Sequence, residues 1–380
     1  MYSKIIDYIK SVYPGQEFIP LHEPRFIGND RKYVLDAIDS TYVSSVGKYV
    51  DHFEEMMREY TGAKYAIAIV NGTAALHMAL ILADVKRDEL VITQPLSFIA
   101  TCNAISYIGA EPLFVDVDKN TLGLSPEKLK HFLETACEVK NNNCYHRSGK
   151  RIAACVPMHT FGHPVEIDKI IELCTKFKIA VIEDAAESLG STYKNKQTGT
   201  FGTMGTYSFN GNKTVTCGGG GAIVTNDEKI GKLAKHLTTQ AKVPHKWEFN
   251  HDQVGYNYRM PNLNAALACA QLEKLDEFIN DKRVLASEYQ DFFSGIKECE
   301  FVKEPVNARS NYWLNAVLLP GLTERNEFLK FTNENGVMTR PVWTLMTELP
   351  MFKNCISTDI SSAKFIADRL VNIPSSSRLK

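Results

Sequence analysis

The sequence predicts an α/β fold whose sheet is mostly parallel. Between about residues 60 and 230, short runs of β-branched and other apolar residues alternate with segments that carry apolar residues at three- and four-residue spacing. Apolar runs of this kind are typical of strands that helices bury on both faces. The predicted strands lie at 65–70, 91–93, 112–115, 152–158, 179–182, 206–209 and 222–225.

The segments between these strands predict helices, which lie at 73–82, 100–107, 125–136 and 167–177. Ser125 followed by Pro126 is typical of an N-cap and a first helical position. The segment 138–151 is polar and has no periodicity, so we expect an exposed loop there. After Pro261 the pattern predicts one long helix that continues through Phe278.

The length of the chain and this change of pattern predict two domains. A chain of 380 residues exceeds the usual size of one domain. We expect a large domain at 1–261 and a smaller C-terminal domain at 262–380. The first 60 residues or so are expected to pack on the smaller domain.

The balance of charges argues against polyanionic partners. The chain has 43 Lys and Arg residues against 44 Asp and Glu residues, which gives a formal net charge of −1. No overall field would therefore attract nucleic acid or anionic lipid. The most apolar stretch, 66–85, is interrupted by polar residues, so we expect no signal peptide and no membrane span.

The cysteine and histidine spacings argue against disulfide and metal frameworks. The nine cysteines form no Cys-x-x-Cys pair, which disfavours a zinc ribbon and fits a reducing cytoplasm. His159 and His163 stand four residues apart, but Gly162 and Pro164 would break a helix there. We therefore expect no metal site.

Polar residues follow the first predicted strand at its carboxyl end, where ligands bind in open α/β sheets. The strand at 65–70 runs into Asn71, Gly72 and Thr73 and then into a helix start. Exposed N–H groups and the helix dipole favour a phosphate at such a place. The same residue types also serve tight turns and caps, so both interpretations stay open.

Two further strand ends carry ionisable residues. Glu183, Asp184 and Glu187 follow the strand at 179–182, where carboxylates bind a metal, pair with a base or cap a helix. Lys213 lies in a loop of small and polar residues shortly before four glycines at 218–221. A lysine in this setting is simply solvated, binds phosphate or forms a Schiff base with a carbonyl group.

Known phosphate-binding motifs test whether these residues bind a nucleotide. No lysine completes a Gly-x-x-x-x-Gly-Lys motif, and Gly199, Gly202 and Gly205 do not match Gly-x-Gly-x-x-Gly. Mononucleotide hydrolysis and Rossmann-type dinucleotide binding therefore lose support. A lysine, an aspartate at a strand end and a phosphate seat together are what pyridoxal phosphate requires, because they bind its aldehyde, its pyridine nitrogen and its phosphate.

At this point the sequence resembles the DegT/StrS family of pyridoxal-phosphate sugar aminotransferases over nearly its whole length. The matching blocks are Gly-Thr-Ala-Ala-Leu at 72–76, Phe-Ile-Ala-Thr at 98–101, Gly-Ala-Glu-Pro-Leu-Phe-Val-Asp at 109–116, Glu-Asp-Ala-Ala at 183–186, Ser-Phe-x-x-x-Lys at 208–213 and Gly-Tyr-Asn-Tyr-Arg-Met at 255–260. The resemblance implies the fold-type I (aspartate aminotransferase-like) fold, with a large domain around a seven-stranded mixed sheet and a smaller C-terminal α+β domain. It also implies a homodimer with active sites at the interface.

The resemblance assigns roles to individual residues. Lys213 would bind the cofactor covalently and move the proton between substrate and cofactor, and Asp184 would pair with the pyridinium nitrogen. Phe98 would stack on the pyridine ring, and Asn257 would reach the phosphate of the other subunit's cofactor. From the residues alone, Phe98 is equally a core aromatic and Asn257 a turn residue. The implied phosphate ligands are Gly72, Thr73 and Ser208.

Glu187 departs from the family pattern, because many members have glutamine or histidine there to meet the cofactor's ring face or phenolic oxygen. The blocks at 157–164, 183–190, 208–213 and 372–376 resemble a subgroup of legionaminic-acid-type pathways. That likeness implies amination of the 4-keto group of a nucleotide-linked 2-acetamido-2,6-dideoxy sugar. Candidate sugar and nucleotide contacts, each with a surface or core role as the alternative, are Ser45, His159, Arg259 and Trp343.

The implied reaction is a ping-pong transfer. L-glutamate gives up its amine and leaves as 2-oxoglutarate, and the keto sugar then takes the amine, in the biosynthesis of a surface polysaccharide. One alternative is a pyridoxal-phosphate sugar dehydratase, although that branch typically has histidine in place of Lys213. Another is a non-catalytic regulator or scaffold of the same fold. The sequence does not fix the nucleotide as UDP, GDP or dTDP.

Overall fold

The computed structural model describes residues 1–379 and contains a large mixed sheet, two small sheets and the helices around them. The α-helices are α1 Tyr2–Val12, α2 Asp30–Asp39, α3 Lys48–Thr61, α4 Gly72–Leu82, α5 Ile99–Tyr107, α6 Pro126–Ala136, α7 Ile167–Lys176, α8 Glu228–Thr238, α9 Asn262–Leu272, α10 Leu275–Ser294, α11 Leu322–Glu334 and α12 Ser361–Ala367. The strands are β1 Tyr65–Ile69, β2 Leu90–Thr93, β3 Glu111–Phe114, β4 Cys137–Lys140, β5 Asn143–His146, β6 Arg151–Val156, β7 Ala180–Asp184, β8 Thr192–Tyr193, β9 Lys196–Gln197, β10 Met204–Ser208, β11 Gly221–Thr225, β12 Glu300–Phe301, β13 Ala308–Arg309, β14 Asn315–Leu318, β15 Arg340–Pro341 and β16 Leu370–Ile373.

The large sheet confirms the predicted α/β class. Seven strands follow the order β1-β11-β10-β7-β6-β2-β3, and the hairpin of β4 and β5 joins this sheet beside β6. The strands β10, β7, β6, β2 and β3 are parallel, whereas β11 is antiparallel to both of its neighbours. The predicted strands and helices of this region are all found, with ends that differ by at most two residues.

Helices cover both faces of the large sheet. In β1, Ala66 and Ala68 face a core cluster with α3 and α9, whereas Ile67 and Ile69 face a cluster with α4, α5 and α8. Strands covered on both faces need apolar side chains at consecutive positions, which explains their continuous apolar runs. None of the helices within residues 1–379 is long and apolar enough to cross a membrane.

Two predictions about local structure were wrong. The segment 138–151 is not simply an exposed loop, because β4 and β5 form a hairpin in which Val139 pairs with Cys144. Only alternate residues of β5, Cys144 and His146, are buried, so the segment lacks the apolar run of the central strands. The predicted helix after Pro261 is two helices, α9 and α10, separated at Glu273 and Lys274 without a glycine or proline to signal the break.

The N-terminal helices pack in two different places. Ile5, Ile6 and Ile9 of α1 join a core cluster with α10, β14 and β16. By contrast, Phe53 and Met57 of α3 pack against α9 and the large sheet. The helices α2 and α3 contact α9, which lies within the predicted smaller domain at 262–380, so the expected packing of the first 60 residues stays a prediction. The division of the chain at residue 261 stays a prediction, and α9 beyond it packs on the large sheet.

The carboxylate of Glu183, at the end of β7, holds the connection between β9 and β10. It is fully buried and accepts N–H bonds from Gly199, Phe201 and Gly202 at 2.8, 2.6 and 2.7 Å. Nε2 of His159 lies 3.1 Å from the same carboxylate. Because Val165 N–H donates to Nδ1 of this histidine, a neutral ring carries its proton on Nε2 and donates it to Glu183.

A buried lysine holds the C-terminal segment to α10. Lys282 is 1% exposed, and its Nζ donates to the carbonyls of Trp313, at 3.1 Å, and of Ser375. Burial lowers the pKa of Lys282 to about 7, because an ammonium loses its hydration there. The lysine is therefore a buried donor whose charge depends on pH near neutrality.

We expect Lys282→Met to change how stability depends on pH. Between about pH 7 and the ordinary lysine value of 10.5, the unfolded chain holds a proton on Lys282 that the folded chain lacks. The free energy of unfolding of the wild type then rises with pH by about 1 kcal/mol per pH unit from this group, and the variant loses that rise. Urea unfolding from pH 7 to 10 measures it, with the exposed Lys297→Met as the control. Parallel stability curves for the wild type and Lys282→Met would contradict the prediction.

We expect Glu183→Gln to destabilise the fold although it preserves shape. The amide keeps one acceptor oxygen and turns an NH₂ group towards N–H donors that the carboxylate now satisfies, so the variant should lose about 2 kcal/mol or more. Urea unfolding at constant pH measures the loss. Glu228→Gln removes the charge of an exposed glutamate that pairs with Lys232 and should change little. Equal losses in the two variants would show that Glu183 is not a structural clamp.

Candidate active site

A cavity of about 300 Å³ lies at the carboxyl ends of β1, β7 and β10. It brings together most of the residues that the sequence singled out. The predicted residues that line it are Gly72, Thr73, Phe98, Asp184, Glu187, Ser208, Lys213 and Trp343. The parallel arrangement of β7 and β10 places their carboxyl ends at one edge of the sheet, which is why these distant segments meet.

The N-terminus of α4 and Ser208 form a small cradle in this cavity. Asn71 caps the helix, because its Oδ1 accepts the N–H of Ala74 at 2.8 Å. A Cβ atom on Gly72 would lie 2.8 Å from Cβ of Ser208, so only glycine leaves the cradle open. Helix N–H groups together with the hydroxyls of Thr73 and Ser208 are suited to bind a phosphate.

Asp184 and Glu187 are the two acids that line the cavity, and Asp184 is held by two hydrogen bonds. Its Oδ2 accepts the hydroxyl of Thr101 at 2.7 Å, and its Oδ1 accepts the N–H of Ala186 at 3.2 Å. Burial raises the pKa of Asp184, and these two donors oppose the rise because they stabilise the carboxylate. A fixed, buried carboxylate of this kind is suited to hold a proton on a ring nitrogen.

Lys213 follows β10 in a short loop and points into the same cavity. Its Nζ lies 3.4 Å from Oε1 of Glu187 and 4.0 Å from the ring centre of Trp313. The indole N–H of Trp313 donates to the carbonyl of Asn212 at 2.7 Å, so the ring is fixed beside the lysine. The side chain of Lys213 is 13% exposed, which leaves its amine accessible only from the cavity.

Glu187 is buried beside Lys213. Its Oε2 accepts the N–H of Phe161 at 2.8 Å. Burial raises the pKa of Glu187 to about 7, and the charge of Lys213 opposes this rise. Phe161 has a φ of 57°, in the left-handed region that a bulky residue rarely adopts.

Two aromatic residues form one wall of the cavity. Phe98 precedes α5 and is 49% exposed, and its ring centre lies 6.1 Å from that of Trp343. An exposed phenyl ring at a cavity offers a face on which a planar ring can stack. The alternative role of Phe98 as a core aromatic is therefore wrong.

His159 is not part of this cavity. It is fully buried, and both ring nitrogens are engaged by Glu183 and by the N–H of Val165. No ring nitrogen remains for a substrate, so the prediction of a substrate contact at His159 is corrected. The histidine is instead part of the clamp around Glu183.

Three predicted residues line a different cavity in the single chain. Ser45, Asn257 and Arg259 lie in a cavity of about 790 Å³ that also contains Lys235, Lys242 and Lys246. Nη2 of Arg259 is 3.7 Å from the carboxylate of Asp51. The structure therefore does not bring these three residues to Lys213 within one chain.

Sequence reasoning missed the roles of Thr101, Phe161 and Trp313. Thr101 lies inside the block at 98–101, and its distance from Asp184 in the sequence hid their contact. Trp313 is one of three tryptophans, which is a weak signal for a pocket residue. Nothing in the sequence announces the positive φ of Phe161. Among the described residues, no group of three or more His, Cys, Asp or Glu side chains is arranged to hold a metal ion.

The lining residues fit pyridoxal phosphate. The open cradle beside Gly72 accepts a phosphate, Asp184 accepts a protonated ring nitrogen, Phe98 offers an aromatic face, and Lys213 supplies the amine. All of these residues line one cavity of a single chain, so no residue of a second chain is needed to bring them together.

Comparison with known proteins identifies the family. The model of the DegT/DnrJ/EryC1/StrS aminotransferase family matches residues 25–380. The chain is 36% identical over 364 residues to GDP-perosamine synthase of Escherichia coli O157:H7, covering 94% of this chain and 93% of the relative. It is 36% identical over 334 residues to the putative pyridoxal phosphate-dependent aminotransferase EpsN of Bacillus subtilis, covering 88% of this chain and 84% of the relative.

A solved structure shows the same fold. PseC of Helicobacter pylori, an aminotransferase involved in the biosynthesis of pseudoaminic acid, superposes with a TM-score of 0.86 at 23% identity, covering 96% of this chain and 95% of that chain. The chain is therefore a member of the DegT/DnrJ/EryC1/StrS aminotransferase family, which confirms the expected fold-type I architecture, the aminotransferase class and pyridoxal phosphate as the cofactor.

Proposed function

We propose that this aminotransferase moves an amine from L-glutamate to the 4-keto group of a nucleotide-linked 4-keto-6-deoxy sugar. The observation that best supports the proposal is that Lys213, Asp184 and the cradle at Gly72 line one cavity. The relatives named GDP-perosamine synthase support a nucleotide-linked sugar as the acceptor.

The residues of the cavity have separate roles in the transfer of the amine. When bound, pyridoxal phosphate supplies an electron sink for the carbon that loses or gains a proton. Asp184 keeps a proton on the ring nitrogen, and Gly72, Thr73 and Ser208 hold the phosphate. Nζ of Lys213 takes the proton from the donor carbon and returns a proton in the second half of the reaction. Phe98 and Trp343 cover the reacting groups and exclude water.

The proposal also concerns the nucleotide of the acceptor sugar and whether this sugar carries an acetamido group. The blocks at 157–164 and 372–376 favour a 2-acetamido sugar of the legionaminic-acid type, whereas the perosamine synthase relatives favour a GDP-linked sugar. Comparing UDP-, GDP- and dTDP-linked 4-keto-6-deoxy sugars, with and without the acetamido group, separates these acceptors. Formation of 2-oxoglutarate from L-glutamate is the readout.

We place the reaction in the cytoplasm, in the supply of a surface polysaccharide. All nine cysteines are unpaired, which fits a reducing compartment. Nucleotide-linked sugars are activated donors, so an enzyme that acts on them supplies a later glycosyl transfer.

We also propose a homodimer in which each active site takes residues from both chains. Ser45, Asn257 and Arg259 carry polar groups that lie apart from the cavity of their own chain. Large apolar side chains near them are exposed, with 63% for Val46, 73% for Trp247 and 77% for Phe249. A second copy that covers these side chains would bring Asn257 to the phosphate of its partner.

We expect Lys213→Ala to abolish the transfer. The variant lacks the group that moves the proton, so formation of 2-oxoglutarate should fall by at least about a hundredfold. The absorption band of the purified wild type should change on addition of L-glutamate, and borohydride should fix the cofactor to the peptide that contains Lys213. Lys297→Ala, at an exposed lysine, is the matched control and should keep full activity. Turnover of Lys213→Ala near the wild-type rate would contradict the proposed function.

We expect subunit mixing to reveal shared sites. In a heterodimer of Lys213→Ala and Asn257→Ala chains, one site receives both intact residues and the other receives neither. Isolated by two different affinity tags, this heterodimer should keep about half of the wild-type activity, above either variant homodimer. A wild-type/Lys213→Ala heterodimer, with the same number of intact sites, is the control. An activity equal to the mean of the two variant homodimers would contradict the shared site.

A further inference from the structure

The amine of Lys213 has a charged partner of its own in this chain. Oε1 of Glu187 lies 3.4 Å from Nζ of Lys213, and the two side chains are only 2% and 13% exposed. The other oxygen, Oε2, is engaged by the N–H of Phe161 at 2.8 Å. One oxygen of Glu187 is therefore tied to the backbone, and the other is directed at the lysine.

Both the carboxylate and the main chain of Glu187 are held by hydrogen bonds. Nδ2 of Asn311 donates to the carbonyl of Glu187 at 2.9 Å, while its Oδ1 accepts the N–H of Trp313 at 2.8 Å. Gly162 has a φ of 94°, and a Cβ atom on it would collide with this same asparagine. Asn311 thus links Glu187, the strained turn at Phe161 and the ring beside Lys213 into one rigid unit.

A carboxylate at this position differs chemically from the glutamine or histidine that the family resemblance leads one to expect. A glutamine would still accept the N–H of Phe161, but it would carry no charge opposite an ammonium. At 3.4 Å and in this burial, a carboxylate makes a charge-assisted contact with an ammonium that a neutral amide cannot make. The contact seen here is with the lysine of the same chain.

We infer that Glu187 is a positioning residue that holds the ammonium of Lys213 whenever this lysine is not bonded to the cofactor. The inference deepens the proposed function and rests on it for the catalytic cycle, although the ion pair itself is a property of the chain. When bound, the cofactor would hold Nζ of Lys213 covalently, and the amine of the donor would displace this nitrogen and pass its own protons to it, so that Nζ leaves as a neutral amine. The released Nζ would then accept the proton of the donor carbon and become an ammonium, which Glu187 would stabilise.

The other charges around Glu187 set the pH range of this effect. Asp184 opposes the ionised form of Glu187, whereas Lys213 favours it, and burial has the largest effect and raises the pKa of Glu187 to about 7. The buried pair of His159 and Glu183 and the imidazole of His22 lie on the neighbouring elements. Glu187 is thus charged above about pH 7 and becomes neutral below it.

The test labels Lys213 after its release. The holoenzyme is converted with excess L-glutamate, freed of glutamate by gel filtration and treated with trinitrobenzenesulfonate between pH 6 and 9. Labelling of each lysine is then measured by mass mapping. Exposed Lys297 serves as the internal reference. The variants are Glu187→Gln, Glu187→Asp and, as a matched control, Glu166→Gln, which removes the charge of a half-buried glutamate paired with Lys169.

We expect Glu187→Gln to label Lys213 about tenfold faster than the wild type at pH 8.5, because the variant loses the charge-assisted contact that holds the ammonium, and tenfold corresponds to about 1.4 kcal/mol of this contact. The gain should shrink below about pH 7, where Glu187 of the wild type is itself neutral. Glu187→Asp should return the rate towards the wild type, and Glu166→Gln should leave it unchanged. A loss of packing alone would not produce this pH profile.

Equal labelling of Lys213 in the wild type and Glu187→Gln at every pH would overturn the inference. If Glu187→Gln does not retain the cofactor, the same comparison is made on the cofactor-free full-length chains, in which the ion pair is already formed. Failure of L-glutamate to convert the wild-type spectrum would contradict the proposed function instead. The labelling comparison on the cofactor-free chains would still decide the role of Glu187.

Discussion

The alternation of side chains along one buried strand determines the chemistry of this site. At the end of β7, Glu183 and Asp184 point to opposite faces of the sheet because they are adjacent in a strand. Glu183 clamps the backbone of the following connection, and Asp184 enters the cavity. The clamp in turn fixes the approach to β10, which carries Ser208 and leads to Lys213. A shift of one residue in β7 would exchange the two carboxylates and lose both functions.

The sequence was most informative where a continuous apolar run predicts a buried strand. The strand-end aspartate, the loop lysine and the small residues at the start of α4 were singled out because they follow such runs, and the resemblance of whole motif blocks to a family then assigned their roles. The hairpin of β4 and β5 was missed because only alternate residues are buried in β5, and the break between α9 and α10 carries no glycine or proline. The hairpin and the helix break depend on the residues that pack against them, and the local sequence does not show which residues these are.

Side-chain roles were harder to predict than element positions. His159 was expected at the substrate, but its contact with Glu183 depends on β7 lying beside the loop after β6, which is a long-range pairing. Thr101, Phe161 and Trp313 were missed for the same reason, since each contacts a residue that is distant in the sequence. Thr101 pairs with Asp184, Phe161 donates to Glu187, and Trp313 lies over Lys213. The roles predicted for Asn257, at the cofactor of another subunit, and for Arg259, at the substrate, stay predictions.

Elements that are far apart in the sequence, α1 and β16, meet in one core cluster, and this has a consequence during synthesis on the ribosome. The isoleucines of α1 pack against β16, and the hydroxyl of Tyr13 donates to the carbonyl of Ser376. The ribosome makes α1 before α10, β14 and β16, so the apolar face of α1 has no partner in this cluster while the residues between them are synthesised. During that time this face is available to chaperones. The cluster therefore forms late, because it requires the closure of a long loop between distant parts of the chain.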